Sequence, residues 1–452
     1  MSSIVPTLVE PSEPIAATDP SDERRAVIEQ HEPRNILVIA WYQVVFRVAW
    51  VFKTESVIMP AMIDAVSGAG WVRGFLPVLN RVGQSVPPLL AAERLRNSRL
   101  KSRSVMSTTL LMAATFGMLS ALWLTVSDRR QAWMAVVVLT LYVLFAAFNG
   151  LNELAISTVS GKIIRPNRRG RLMVVGGFVG SVASVAAAAI LLPRWLKLPN
   201  QTGYTYIFAF TAAGFAIAAF LVLLLFEPPD PSIVTPHRPP QHHFSHAWSL
   251  YTQDQSFRRA ANVGMLSIGS ILLFPHYRWL AAERLDAPEV DMVGWVIAQN
   301  IGVGIFSPLT GTIADHYGNR MALRCCVFAA AMAPLLAILM SGPLAWLGSR
   351  WFWCVFVVLG MTPVTMRTIF NYTLELAIET DHPRYLSTMR ICLAVPFVVS
   401  PLGGLLLDLF TGEWRFVGIC LLFGGVSGLM LLGGLLTFRM EEPRHRLARK
   451  RC

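Results

Sequence analysis

The stretch Phe148-Asn149-Gly150-Leu151-Asn152-Glu153-Leu154-Ala155-Ile156 returns as Phe370-Asn371-Tyr372-Thr373-Leu374-Glu375-Leu376-Ala377-Ile378. Both copies read F-N-x-x-x-E-L-A-I, and 222 residues (375 − 153) separate their glutamates. The same offset (315 − 93) carries Glu93 of Ala92-Glu93-Arg94 onto Asp315 of Ala314-Asp315-His316. Two landmarks in one register predict two homologous halves in the same order. In a chain this apolar, that is the plan of a membrane transporter built from parallel repeats.

Of the 452 residues, 54% are hydrophobic and 15% charged, against roughly 25% charged in ordinary globular domains. Apolar stretches of about 20 residues, each able to cross ~30 Å of hydrocarbon, predict twelve spans. They fall near 36–62, 72–92, 105–126, 132–157, 172–193, 205–226, 261–282, 292–314, 322–341, 352–379, 386–409 and 414–437. The second and seventh are the most polar. The expected fold is an all-α membrane protein of 12 transmembrane helices in two six-helix repeats. A disordered cytoplasmic tail (1–33) precedes the first half (34–226). A linker (227–260) leads to the second half (261–438), and a basic tail (439–452) follows.

The net charge of +12 would suit nucleic acid, but its distribution points elsewhere. Arg94, Arg96, Arg99, Lys101 and Arg103 fall in one loop expected inside, and Lys162, Arg165, Arg168, Arg169 and Arg171 in the next. The loops expected outside carry only scattered basic residues. This is the positive-inside pattern with both termini cytoplasmic, and the basic tail is expected against anionic lipid. The N-terminal segment lacks the pattern of a cleavable signal. The first span is therefore expected to act as the insertion signal, placing the chain in the inner (cell) membrane. The six cysteines imply no disulfide framework. His242, His243 and His246 lie in the proline-rich linker without nearby cysteine or carboxylate partners, so a solvated linker is expected rather than a metal site. A short amphipathic surface helix is expected over His246–Arg259.

Several local patterns resemble the major facilitator superfamily of twelve-helix secondary transporters. Gly311-x-x-x-Asp315-x-x-Gly318-Asn319-Arg320 resembles that family's loop motif G-x-x-x-D-R/K-x-G-x-R/K, and its first-half copy is degraded around Glu93. Arg165-Pro166-Asn167-Arg168-Arg169-Gly170-Arg171 resembles the family's P-x-x-R-R-G-R loop. Two subfamily marks are missing. Ser160 and His382 stand where sugar porters carry a gate arginine, and the span with Gly176, Gly177 and Gly180 lacks the proline of proton-driven drug exporters. The resemblance implies that spans one, four, seven and ten line a central cavity. It also implies that Asp315, with Arg320, helps close the cytoplasmic side.

Ionisable groups inside spans are costly and need a partner or a purpose. Arg47 lies about 16 Å from the inner edge of span one at 1.5 Å per residue. It can reach toward headgroups, pair within the bundle, or bind an anion. Glu55, the acidic residue of that helix's outer half, is the candidate for proton or ion coupling. Arg81, with Asn80 and Gln84, forms a polar stripe that cannot face lipid. Arg367, Asn371 and Glu375 recur at helical spacing on one face of span ten, and Asn149 and Glu153 repeat its lower part in span four. Arg47, Arg81, Asn149, Arg367 and Asn371 are therefore candidates for substrate binding. Glu93, Glu153, Asp315, Arg320 and Glu375 are gate candidates. Pro275-His276-Tyr277-Arg278 marks a broken helix end in span seven.

Mid-membrane arginines without matching carboxylates predict a cavity of positive potential and a small anionic solute, since guanidinium pairs carboxylate or phosphate bidentately. No cofactor, metal or nucleic-acid partner is expected, and a monomer is. No G-x-x-x-x-G-K-[ST] loop appears in the chain, so ATP is not an evident energy source. A transport-silent receptor with the same fold and a polytopic membrane enzyme are the competing classes. The enzyme would need a His, Asp or Ser constellation that motif spacing does not offer. The orientation has a direct check. Lys101→Cys is expected to react with a membrane-impermeant thiol reagent from the cytoplasmic face alone, and labelling from outside would reverse the assignment.

Overall fold

The computed structural model describes residues 20–96, 98–164, 166–199, 202–229, 240–289, 291–377 and 382–442. The terminal segments 1–19 and 443–452 lie outside them, as do the side chains of Glu93, of residues 165–171, and of His242, His243 and His246. All regular structure among the described residues is helical. The first half holds α1 (Pro20–Val51), α2 (Ile58–Val66), α3 (Gly70–Arg96), α4 (Lys101–Thr125), α5 (Ala132–Ile163), α6 (Pro166–Leu196) and α7 (Gly203–Leu221). After the linker helix α8 (Pro240–Gln253), the second half opens with α9 (Gln255–Ser267), α10 (Gly269–Leu272) and α11 (Phe274–Leu285). It continues with α12 (Asp291–Tyr317), α13 (Asn319–Ser341), α14 (Trp353–Leu359), α15 (Met361–Leu376), α16 (His382–Ala394), α17 (Ser400–Leu409) and α18 (Arg415–Leu436). Among the described residues, nine helical stretches are long and apolar enough to cross a membrane. The first, second and seventh expected spans are not among them, because each is broken or interrupted by polar residues.

Three segments depart from expectation. Helix α1 already begins at Pro20, inside the stretch read as a disordered tail. The single amphipathic helix expected over His246–Arg259 is divided at Asp254, whose Oδ1 accepts the Phe257 N–H at 2.9 Å and so caps a new helix. The first span is not one rod either, because it unwinds over Phe52–Val57. In a continuous helix Lys53 and Glu55, two residues apart, would point to different faces. Unwinding lets the Lys53 ammonium reach Glu55 at 2.8 Å although Lys53 is 0% exposed, and it also sits 3.3 Å from the Trp50 ring centroid. Thr54 supports the break by accepting the Ile58 N–H on its hydroxyl (3.2 Å) and the Met59 N–H on its carbonyl (3.0 Å). An unpaired buried charge costs more than a few lost helical hydrogen bonds.

Each half packs around its own aromatic core. Phe116, Phe145, Phe208 and Phe215 interlock in the first. In the second, Trp295 stacks on Phe356 with centroids 5.2 Å apart, and Tyr277 meets Phe423 edge-on. Glycines let helix backbones approach within each half. A Cβ at Gly150 would lie 2.6 Å from the Gln84 carbonyl, and one at Gly302 would lie 2.1 Å from that of Val357.

Both halves clasp a helix start at the end of the bundle where the termini lie. Glu227, just after α7, accepts the Lys101 and Ser102 N–H groups at 3.0 and 2.7 Å and pairs with Lys162 in the last turn of α5 at 2.7 Å. It thereby satisfies orphan donors of α4, whose own cap residue makes no side-chain bond. Glu442 mirrors it at α13, accepting the Arg320 N–H at 3.2 Å. Gly318 permits this because its φ of 87° is left-handed, and a Cβ there would fall 2.5 Å from the Glu442 carboxyl carbon. Burial pushes the Glu227 carboxyl up, but Lys162 and the two backbone N–H groups outweigh it and hold the group below the usual carboxylate value. A depressed carboxylate contributes stability above its unfolded pKa and loses it as pH falls through the folded one. Glu227→Gln is therefore expected to lower stability by about 1–3 kcal/mol at neutral pH. That deficit should shrink below roughly pH 4, as read by melting of the detergent-solubilised protein. An equal deficit at both pH values would rule this account out.

Candidate functional site

A cavity of about 640 Å³ lies between the halves. It is walled by α1 and its break, α3 and α5 on one side, and by α10 to α12 and α15 on the other. Of the residues expected to bind, Arg47, Arg81, Asn149 and Arg367 line it, as do Glu55 and Glu153. Asn371 does not. It is solvent-exposed one turn beyond Arg367.

Arg47 rises from α1 with its stem across Gly180 of α6, where a Cβ would lie 3.0 Å from the Arg47 Cδ. Arg367 rises from α15 of the other half and lines the same cavity. No described carboxylate forms an ion pair with either, nor with Arg81. Arg81 faces the Phe397 ring at 5.5 Å from its centroid, and its Nε has no hydrogen-bond partner among the described residues. Glu55 is already engaged by Lys53 at the narrow end of the cavity, where the Ser56 hydroxyl donates to Gln299 Oε1 at 2.6 Å.

The far end, opposite the termini, is sealed by contacts between halves. Asp408 at the end of α17 accepts the Gly70 and Trp71 N–H groups that open α3, at 2.9 and 3.1 Å. The backbones touch there, since a Cβ at Gly404 would sit 2.0 Å from the Gly70 carbonyl oxygen. Alongside, Asp64 of α2 pairs with Arg73 of α3 within its own half and with Arg278 of α11 across the interface, the latter at 2.9 Å. His276 is fully buried, and its Nδ1 receives the Arg73 Nε–H at 3.4 Å. Toward the terminal end the walls stand in water. Glu153 and Arg390 bridge the halves at 3.2 Å while remaining 44% and 41% exposed. The cavity is blind at the far end and open at the terminal end.

Of the gate candidates, Glu153 reaches across the halves there, whereas Glu375 and Arg320 are bonded within the second half. Glu153 meets Arg390 and, at 3.5 Å, Asn149. Glu375 accepts from Asn319 at 2.8 Å within its own half. Arg320 donates to the Met440 carbonyl at 3.0 Å, beside the Glu442 clasp. Asp315 is exposed at the end of α12. Sequence reasoning missed Asp64, Arg73 and Asp408, because single charges at the ends of apolar stretches read as interfacial. The paired glycines Gly403 and Gly404 were the available signal of close helix approach.

The profile of the Major Facilitator Superfamily matches residues 90–378. No curated protein sequence matches the chain. Among solved structures, the nucleoside transporter NupG shares 13% identity at a TM-score of 0.63, covering 90% of this chain and 99% of its own. A D-xylose-proton symporter gives 12%, 0.65, 90% and 99%. A bacterial homologue of the human lysosomal transporter Spinster, inward-facing and occupied, gives 11%, 0.63, 89% and 95%. At such identities the likeness is one of fold.

The far-end seal yields its own test. Asp64→Asn removes the negative charge shared by Arg73 and Arg278 and one of its two acceptor oxygens. It is expected to raise the reaction rate of Gln299→Cys with a thiol reagent applied from the far face by about fivefold or more, the effect of one or two kcal/mol. An unchanged rate would mean that the backbone contacts alone hold this end shut.

Proposed function

The chain belongs to the major facilitator superfamily, a family of multi-pass membrane transporters and not enzymes, and on that premise we propose that it carries a small organic anion by alternating access between its halves. The rods α1–α2, α3 and α9–α11 join the nine apolar stretches to make twelve spans. Both termini are cytoplasmic, so the sealed end faces outward and the cavity opens inward. Lys101, Arg103, Lys162 and Arg324 at the terminal end support this orientation, as do the exposed Trp346, Trp351 and Trp414 at the other. The protein works as a monomer in the cell membrane.

One observation carries the anionic reading. Arg47 and Arg367 approach from different halves with no described carboxylate partner. Two repelling guanidinium groups oppose closure of the cavity between them. An anion bridging both replaces repulsion with charge-assisted hydrogen bonds and favours the occluded state. Glu55 is the coupling group: its protonation would release Lys53 at the closed tip of the cavity.

Arg47→Gln and Arg367→Gln are each expected to cut anion counterflow in proteoliposomes by about tenfold or more, as for loss of a charged hydrogen bond. Glu55→Gln is expected to retain counterflow but lose accumulation driven by a pH gradient. Binding without flux in the wild type would favour a transport-silent receptor. Flux indifferent to both arginines would reject an anionic solute.

A further inference from the structure

The cavity holds more than positive charge, and the hydrogen-bonding groups left over on its walls narrow the solute. Asn300 lines the cavity and spends its Nδ2 on the Val296 carbonyl at 2.8 Å, which leaves its oxygen without a described partner. Asn149 likewise directs its Nδ2 to Glu153, at 3.5 Å. Asn80 donates to the Tyr142 hydroxyl at 3.2 Å, and its Oδ1 is buried with no partner among the described residues. Gln43 and Gln84 line the cavity with no hydrogen bond to any described residue. For Asn149 and Asn300 the partner fixes which way the amide is turned, since a carboxylate and a carbonyl only accept and so take the NH2 end.

A bare anion only accepts. It would satisfy Arg47 and Arg367 and leave these carboxamide oxygens facing its own negative charge, and leaving buried acceptors unpaired is costly. Hydroxyl groups both donate and accept, so a run of them can engage the oxygens of Asn80, Asn149 and Asn300 and either end of the two glutamines. The volume of about 640 Å³ also falls within the ~300–1,000 Å³ of small-molecule sites and exceeds the need of an inorganic ion. We propose that the solute is a polyhydroxylated organic anion, with a carboxylate or phosphate held between Arg47 and Arg367 and its hydroxyls on the carboxamide walls. This rests on the anionic reading above and adds the chemistry of the uncharged part.

The test is ligand-induced thermal stabilisation of the purified, full-length protein in detergent. D-Gluconate and D-glucose 6-phosphate are titrated against D-glucose, propionate and inorganic phosphate. At least one polyhydroxylated anion is expected to bind about tenfold or more tighter than glucose and than the simple anion of its own kind. Whether gluconate or glucose 6-phosphate binds tighter identifies the acidic group. Asn300→Leu with Gln84→Leu should erase the preference over propionate or phosphate while sparing that over glucose. Arg367→Gln should do the reverse. If propionate or phosphate binds as tightly as its hydroxylated counterpart, and Arg367→Gln abolishes it, the inference about hydroxyls is overturned and the anionic reading stands. If glucose binds as tightly as gluconate, the anionic reading itself is overturned. Failure of both polyhydroxylated anions to bind overturns the inference.

Discussion

Where Gly70 and Gly404 meet, backbones from opposite halves come into contact, with the Asp408 carboxylate clasping the start of α3 beside them. Side chains at either glycine would hold the helices apart. Without that approach, Asp64 could not share its carboxylate between Arg73 of its own half and Arg278 of the other, nor could Ser56 reach Gln299. The blind end of the cavity follows from this contact, and so does the placement of Arg47 opposite Arg367. The contact is also of a kind that can be undone. It combines van der Waals packing with a few ion pairs, which water could replace if the halves were to separate.

A second constraint is that charge inside the bundle is matched wherever it serves structure. Lys53 pairs with Glu55 at the cost of unwinding a helix. Glu227 and Glu442 are spent on the first turns of α4 and α13. Against that pattern, Arg47, Arg81 and Arg367 line the cavity with no ion-pair partner among the described carboxylates. An unmatched charge in such a place either destabilises the fold or awaits a ligand, and the solvent-open cavity lowers the first cost without removing the second.

Much of this was readable in the residues. The repeated F-N-x-x-x-E-L-A-I stretch falls on α5 and, from Phe370 through Leu376, on α15, corresponding helices of the two halves, and the motif from Gly311 to Arg320 pointed to the family. Arg47, Arg81, Asn149 and Arg367 were legible as cavity candidates because polar groups at mid-depth of an apolar segment have few other places to go. Glu375 drew attention through the repeated stripe and Arg320 through the loop motif, both as gate residues, and both bond within the second half. Their partners, Asn319 and the chain at Met440, lie far from them in sequence, and no spacing rule reveals such a contact. The broken first helix was hidden too, since hydropathy averages over Lys53 and Glu55 and cannot register that they need each other.

The sequence by itself determined the class of protein: an apolar, duplicated, helical chain with arginines stranded in its spans. Periodicity and transfer energy act locally, so a linear reading can follow them. Only the tertiary structure decided which of those arginines remain without carboxylates, which carboxamides present an idle oxygen to the cavity, and which end of the cavity is shut. Each of those depends on distances between groups that may be more than two hundred residues apart, set by how closely glycine-lined backbones from the two halves can approach.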